Sequence, residues 1–404
     1  MTALIKKNCP KEIEETLFRL KSAGFRAYAV GGCIRDTLLG ETPNDWDVTT
    51  SALPEEVLSV FQNEHTIPTG LKHGTVTVMK NHSPIEITTF RIDGAYCDSR
   101  HPESVTFSDR ISDDLSRRDF TINALAWNEE CGVVDCFDGV SDLKNNIIRA
   151  VGEPKKRFEE DALRILRAYR FSARLGFEIE KDTREAMISE AHRLKNISRE
   201  RISSEFTRLL VAKNALAVLQ MMDTDGIFPY IFSGGAYTLP RIEVLNKLDR
   251  LPKAPEDRIG FLLREASPEH FSKWIAELRL SNKQVSEITI LADRDGRALT
   301  PASEYEARRI LSHYGSLTER ALHIASLYGV DTEKMTEFVK KARNNCDCIT
   351  IGSLAIGGKD LITEGIASGA QIGLILSFLL DEVLHDPSKN TRESLLNLAR
   401  RSQK

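Results

Sequence analysis

No stretch of this chain approaches the ~18 uninterrupted apolar residues of a membrane span, so no transmembrane helix is expected. The amino end, MTALIKKNCPKEIEETL, lacks the apolar run of a secretory signal. None of the seven cysteines (positions 9, 33, 97, 131, 136, 346 and 348) forms a CxxC pair, which argues against a zinc site or a disulfide framework. Reduced thiols and a cytoplasmic location are expected. There is no excess of positive charge either: the formal net charge is −4. A nucleic-acid partner would therefore need a local basic surface, since the chain as a whole would not attract it. No fixed-period repeat or low-complexity segment is present.

What is present is a 404-residue chain, 41% hydrophobic, enough for two to four domains. Short runs rich in Val, Ile, Thr and aromatics occupy the first ~150 residues, and they predict strands over Phe25–Val30, Asp45–Thr50, Thr75–Lys80, Ile85–Phe90 and Val133–Phe137. Helical patterns over Lys11–Ala23 and Pro54–Gln62 lie between them. After Pro154 apolar residues recur at three- and four-residue steps, as in Leu163, Leu166, Tyr169 and Phe171. The expected fold class is an α+β head with one β-sheet, followed by an all-α remainder.

The densest chemistry lies in VGGCIRDTLLGETPNDWDVTT, Val30 to Thr50. If DWDVTT is a strand, Asp45 and Asp47 project from one face and Trp46 and Val48 from the other. Two close carboxylates repel unless a cation lies between them, and Mg²⁺ favours a few carboxylates plus phosphate oxygens. Gly31 and Gly32 form a strand-to-helix turn that lets backbone N–H groups approach phosphates. Arg35, in the first turn of the following helix, can add a charge-assisted contact to a triphosphate. Glu86, alternating away from Ile85 and Ile87, is either a third carboxylate of the site or a solvent-facing strand residue.

GGCIRD followed by DWDVTT resembles the first motif of the tRNA nucleotidyltransferase and poly(A) polymerase superfamily, in particular the bacterial and eukaryotic type of CCA-adding enzyme. The second motif, DLSRRDFTINALA, agrees. Within it Arg118 can bind a phosphate, and a helix would bring Asp119 and Asn123 together on one face to contact a ribose. The third, VVDCFDGVSDLKNNIIRA, has Asp138 where the usual pattern has a second glycine, and its expected role is structural.

RFEEDALRILRAYRFSARLGF, Arg157 to Phe177, supplies an amino-acid template. Asp161 and Arg164 share a helical face at three-residue spacing. Cytosine and adenine each offer an exocyclic amine beside a ring-nitrogen acceptor, which a carboxylate and a guanidinium match. Uracil and guanine present a carbonyl beside an N–H, and both contacts turn repulsive. The resemblance implies that Asp161 and Arg164 select the base and that Arg167 and Arg170 help hold the nucleotide. It also implies that SRERISSEF, Ser198 to Phe206, supports the template helix.

The resemblance divides the chain into a nucleotidyltransferase head (1–150), a neck bearing the template helix (151–205), a body (206–300) and a tRNA-binding tail (301–404). Implied partners are tRNA, CTP and ATP, with Asp45 and Asp47 as catalytic residues holding Mg²⁺ and with Gly32, Arg35 and Arg118 on the nucleotide. The polar segment Asp93–Leu115 is long, as in members that add A, which favours complete CCA addition over a CC-only enzyme. The rivals are an A-only adder or poly(A) polymerase, and a non-catalytic tRNA-binding protein. Lys155, Lys156, Arg193, Lys195 and Arg199 are candidate phosphate contacts. Gly365, Gly369 and Gly373, spaced by four, suggest close helix packing ahead of a backbone approach to phosphate.

Overall fold

The computed structural model describes all residues except 82, 95–103, 233–236, 293–298, 346 and 403–404. The first 150 residues hold helices α1 (Thr2–Asn8), α2 (Lys11–Ser22), α3 (Gly32–Leu38), α4 (Pro54–Val60), α5 (Ile111–Ser116) and α6 (Gly139–Asn145). Among them run strands β1 (Ala27–Val30), β2 (Asp47–Thr50), β3 (His65–Gly70), β4 (Thr75–Lys80), β5 (Ser83–Thr89), β6 (Arg91–Asp93), β7 (Val105–Phe107), β8 (Leu125–Asn128), β9 (Gly132–Asp135) and β10 (Ile147–Ile148). Seven strands form one mixed sheet in the order β3-β4-β5-β2-β1-β8-β9. Only the β2–β5 pair in it is parallel. All four residues of β1 are buried, as expected of a strand near the middle of a covered sheet. Tyr28, Val30, Phe90, Leu115, Ala124, Ala126 and Val151 make one apolar core against it.

From Pro154 onward the described residues hold helices and one short strand, β11 (Glu178–Ile179); as far as Ile231 the α-helices are α7 (Pro154–Glu160), α8 (Leu163–Leu175), α9 (Lys181–Glu190), α10 (Arg199–Leu210), α11 (Ala215–Thr224) and α12 (Phe228–Ile231). The α+β head with an all-α remainder is therefore borne out. The segment Asp93–Leu115 is not wholly a loop. β6 and β7 pair as a ribbon and α5 begins at Ile111, while residues 95–103 lie outside the described residues.

The chain divides into two compact units. One comprises Met1–Tyr237 together with Glu277–Arg279, and the other comprises Thr238–Ala276 and Leu280–Lys404. The expected boundary at 150/151 thus lies inside the first unit, and that at 205/206 falls within α10. The second unit is built from helices, the longest of them Gln371–His385, whose Leu379 and Val383 pack with Leu361 and Leu395 in a core of their own. Gly365 and Gly369 have φ of +65° and +60°, and a Cβ on either, or on Gly373, would meet nothing within 4 Å. These glycines shape turns and open surface; they do not bring helices close. Among the described residues no helix is long and apolar enough to cross a membrane.

Candidate active site

The register of the sheet explains why two distant motifs meet. β1 pairs antiparallel with β2 so that Val30 lies opposite Asp47. The turn that follows Val30 is thereby set beside the acidic strand. Asp45 precedes the strand, which begins at Asp47, and both side chains are exposed, while Val48 is buried. β5 flanks β2 on the other side, with Val48 opposite Ile87, which brings Glu86 next to Asp47. Although Asp47 reaches solvent, the protein surrounding it limits hydration of its carboxyl and raises its pKa above the ordinary aspartate range. Glu86 and Asp45 push it further, and Arg118 opposes them. Crowded hard oxygen donors of this kind suit a divalent cation. Among the described residues no three His, Cys, Asp or Glu side chains converge as a complete ligand set. Glu86 adds negative charge beside Asp47.

Arg118 is the cation of this site. Gly31, at φ +86°, adopts a conformation that L side chains rarely take, and a Cβ there would stand 2.9 Å from Arg118 Nη1. Arg118 Nη2 donates to Asp114 Oδ2 at 3.3 Å, and its Nε is buried without a hydrogen-bond partner. Beside an acidic pair, a guanidinium held only by Asp114 and 19% exposed can receive a phosphate oxygen. The Gly31 N–H is spent on Leu125 O at 2.9 Å, so that amide does not cradle a phosphate. Gly32 opens α3, with Arg35 Nη2 3.5 Å from where its Cβ would be.

Arg35 is not at the surface. It is 3% exposed, donates to Asp36 Oδ1 and Asn123 Oδ1, and stacks on the Phe171 ring at 4.9 Å. The expected triphosphate contact is thus replaced by an internal brace between α3, the second motif and α8.

Asp119 and Asn123 do meet, at 3.0 Å, but not through an α-helix. A 3₁₀ turn over Thr121–Asn123 joins them and runs straight into β8. Asp119 Oδ1 also accepts from Phe120 N, and Oδ2 accepts from Arg167 Nε at 2.8 Å. Burial alone would raise this carboxyl. The Arg167 charge, with hydrogen bonds from Asn123 and Arg167, overrides it and holds Asp119 far below the ordinary range. The pair expected on a ribose is therefore engaged within the protein. Gly139 is obligatory beneath this turn, since a Cβ there would lie 2.2 Å from Thr121 O. Asp138, in place of the usual glycine, takes φ +60°, a left-handed conformation that aspartate tolerates.

The template residues lie at a break between helices, not on one continuous face. α7 ends at Glu160, Asp161 is extended (φ −143°, ψ 100°), and α8 starts at Leu163. Asp161 Oδ1 accepts from Leu163 N at 3.0 Å, and Oδ2 from Arg201 Nη2 at 2.7 Å. Arg164 pairs instead with Glu160, and it donates to Arg157 O and Arg117 O. Arg167 joins Asp119, and Arg170 pairs with Glu205 while lying 4.2 Å over Phe171. Each arginine of this stripe is matched by a carboxylate, which ties α8 to the head and to α10.

The structure thus brings together Asp45, Asp47, Glu86 and Arg118 on one side and Asp161, Arg164, Arg167 and Arg170 on the other, joined through Arg117–Asp119. Sequence reasoning missed Glu160, Arg201 and Glu205 as partners. All three lie within EEDALR or SRERISSEF, Glu160 directly before Asp161 and Arg201 two residues after Arg199. Arg199 is also reassigned: it grips Glu277 and the carbonyls of Tyr230 and Ile231, all within the first unit.

A family model described as the poly A polymerase head domain matches residues 27–149, and one described as a probable RNA and SrmB-binding site of polymerase A matches 176–238. A CCA-adding enzyme of Leuconostoc mesenteroides is 49% identical over 220 residues, 54% of either chain. That of Limosilactobacillus fermentum is 37% identical over 405 residues, covering 96% of this chain and 97% of the other. The crystal structure of the Bacillus stearothermophilus CCA-adding enzyme in complex with CTP is 32% identical, with a TM-score of 0.78 over 97% of both chains. Similarity of this extent, running from the acidic strand through the arginine-lined helix to the far end, makes this chain a member of the CCA-adding enzyme family.

Proposed function

We propose that this chain is a tRNA nucleotidyltransferase that adds C, C and A to the tRNA 3′ end from CTP and ATP, with no nucleic-acid template, releasing pyrophosphate. In each cycle the 3′-hydroxyl oxygen bonds to the α-phosphorus of the nucleotide, and the bond from that phosphorus to the leaving pyrophosphate breaks. One observation carries the reading. Arg164 and Arg167 are fastened to Arg117 and Asp119, and the adjoining Arg118 faces Asp47, so base reader and acidic pair share one run of contacts.

Asp45 and Asp47 would hold a divalent cation, Mg²⁺, with substrate phosphate oxygens completing its shell. Bound there, the ion supplies charge stabilisation for the attacking and leaving oxygens. The guanidinium of Arg118, held only by Asp114, offers its charge to the triphosphate. Asp161 keeps acceptor capacity for an exocyclic amine, because a carboxylate has about four lone-pair sites and only two are used here. Arg164 donates to the ring nitrogen. Uracil and guanine would leave both groups mismatched, at about 1–3 kcal/mol for each unsatisfied group. Arg167 and Arg170 hold the nucleotide indirectly, by fixing α8. The head, neck, body and tail divide the work as catalysis, base selection, support and tRNA binding. The free cysteines among the described residues suit a reducing compartment, and we place the enzyme in the cytoplasm.

The test is extension of a tRNA transcript lacking CCA, with one labelled nucleotide at a time. CTP alone should add two residues, and ATP should follow only after both. An A-only adder or a poly(A) polymerase would leave CTP unused, and a non-catalytic tRNA-binding protein would use neither.

A further inference from the structure

Behind the acidic strand lies a buried carboxylate. Thr49 stands two residues after Asp47 on β2, so the two side chains leave the strand on one face. Asp114, on α5, meets that face, and neither it nor Thr49 has any exposed surface. Asp114 Oδ1 accepts from Arg117 Nε at 3.0 Å and from Arg117 Nη2 at 2.7 Å. Its Oδ2 accepts from Arg118 Nη2 at 3.3 Å and from the Thr49 hydroxyl at 3.2 Å. The one proton of that hydroxyl is shared with Thr88 O, 3.1 Å away on β5. Asp114 thus ties β2 to the Arg117–Arg118 pair. Two guanidiniums on one carboxylate leave one positive charge in excess. Arg117 has a second acid nearby, Asp93 at 3.9 Å, whereas Asp114 is the one partner of the Arg118 side chain among the described residues. The excess charge therefore belongs to Arg118, which keeps 19% of its side chain exposed beside Asp47. Burial alone would raise the Asp114 carboxyl, but the two arginines hold it below the ordinary aspartate range, so it stays an anion and an acceptor. A single bond of 3.3 Å is a loose tether, and where Arg118 points depends on how firmly Asp114 is held.

We propose that Asp114 and Thr49 are positioning residues for the triphosphate: the strand hydroxyl steadies the buried carboxylate, and the carboxylate holds the Arg118 guanidinium at the acidic strand, where the phosphates of the incoming nucleotide bind. This rests on the reading of Arg118 as a triphosphate contact. Both side chains are wholly buried, so neither is expected to touch the nucleotide. Their loss should weaken CTP and ATP alike, because the triphosphate is common to both, and should leave base preference alone.

The experiment uses the full-length chain as wild type, Thr49→Val, Thr49→Ser, Asp114→Asn, Arg118→Ala and the double variant T49V/R118A. The readouts are the Kd of CTP with Mg²⁺ and no tRNA, KM and kcat for CTP on tRNA lacking CCA and for ATP on tRNA ending in CC, CTP-over-UTP preference, and thermal melting. T49V keeps the shape and loses the hydroxyl, so the CTP Kd and both KM values should rise about threefold. Its kcat should stay within about twofold, as for a loss of ground-state binding, with preference unchanged. T49S keeps the hydroxyl and loses a methyl, so it should melt earlier yet bind CTP as wild type does. D114N should weaken CTP binding by roughly tenfold. R118A should weaken it further, and T49V should add nothing in that background. CTP binding that follows melting temperature across T49V and T49S, and not the hydroxyl, overturns the positioning role. Unchanged CTP binding in T49V and D114N, with R118A weakened, overturns it too and leaves Arg118 on the triphosphate. Additive effects in the double variant also overturn it, by showing that Thr49 acts elsewhere. Unchanged CTP binding in R118A removes Arg118 from the triphosphate and this inference with it. Should D114N fail to fold, T49V and T49S decide under the same criteria.

Discussion

At the scale of single residues, a motif position does not reveal whether its side chain faces ligand or protein. Arg35 and Arg118 both sit beside glycines or acids in phosphate-binding patterns, yet Arg35 is buried on Asp36 and Asn123 while the Arg118 side chain keeps 19% of its surface exposed. Arg35→Met should therefore cost stability, about 3 kcal/mol for leaving a buried pair broken, while the KM for CTP moves less than about twofold. The reverse outcome, a large KM change at constant melting temperature, would return Arg35 to the triphosphate. Asp119 gives a pH signature. Its folded pKa is depressed, so its contribution is complete above the unfolded value of about 3.9 and is lost as pH falls below that towards the folded value. Asp119→Asn should lose about 3 kcal/mol at pH 7. In denaturant titrations at several pH values, the gap to wild type should narrow only below about pH 4; a gap that stays constant down to pH 3 contradicts the assignment. The strand that carries Asp47 was legible from residue type and alternation alone. The commitments of Arg35, Asp119 and Asn123 were not, because they depend on partners 48 to 88 positions away in the chain.

At the scale of elements, the arginine stripe of α8 was plain from its periodicity, and two strands of the seven-stranded sheet were hidden for opposite reasons. β8 lies inside the sheet with Leu125, Ala126 and Trp127 all buried, so it shows no alternation, and INALAWN imitates a helix. β3 carries Pro68, which ordinarily demotes a strand, but it is the outermost strand of the sheet, where a missing N–H is tolerated. The break before α8 had a sequence signal in Asp161 itself, whose side chain bonds the N–H two residues on and competes with helix continuation. Arg201 of α10 then holds that carboxylate. Arg201→Ala should lower CTP-over-UTP preference by about fivefold, equivalent to one hydrogen bond of ~1 kcal/mol, and it should add nothing to Asp161→Ala. Misincorporation assays with both nucleotides present decide this; full additivity would separate α10 from base selection.

At the scale of the whole molecule, catalysis and tRNA capture are expected to separate. Asp45→Asn with Asp47→Asn should abolish nucleotide incorporation, while the tRNA Kd, measured by filter binding, stays within about threefold. Loss of tRNA binding in that variant would instead make the acidic strand part of the RNA surface. The two-unit division has one sequence signal, the stretch SGGAYTLP (Ser233 to Pro240) at the join; periodicity does not show it, because helices fill both units after Pro154.

The chain leaves the first unit after Tyr237 and returns for three residues at Glu277–Arg279, where Arg199 clasps the Glu277 side chain and carbonyl. The first unit is thus not a contiguous stretch of gene. Recombination with a foreign partner at a single junction near residue 237 would discard Glu277 and strand a half-buried guanidinium, so shuffling of these modules demands a graft with two crossovers.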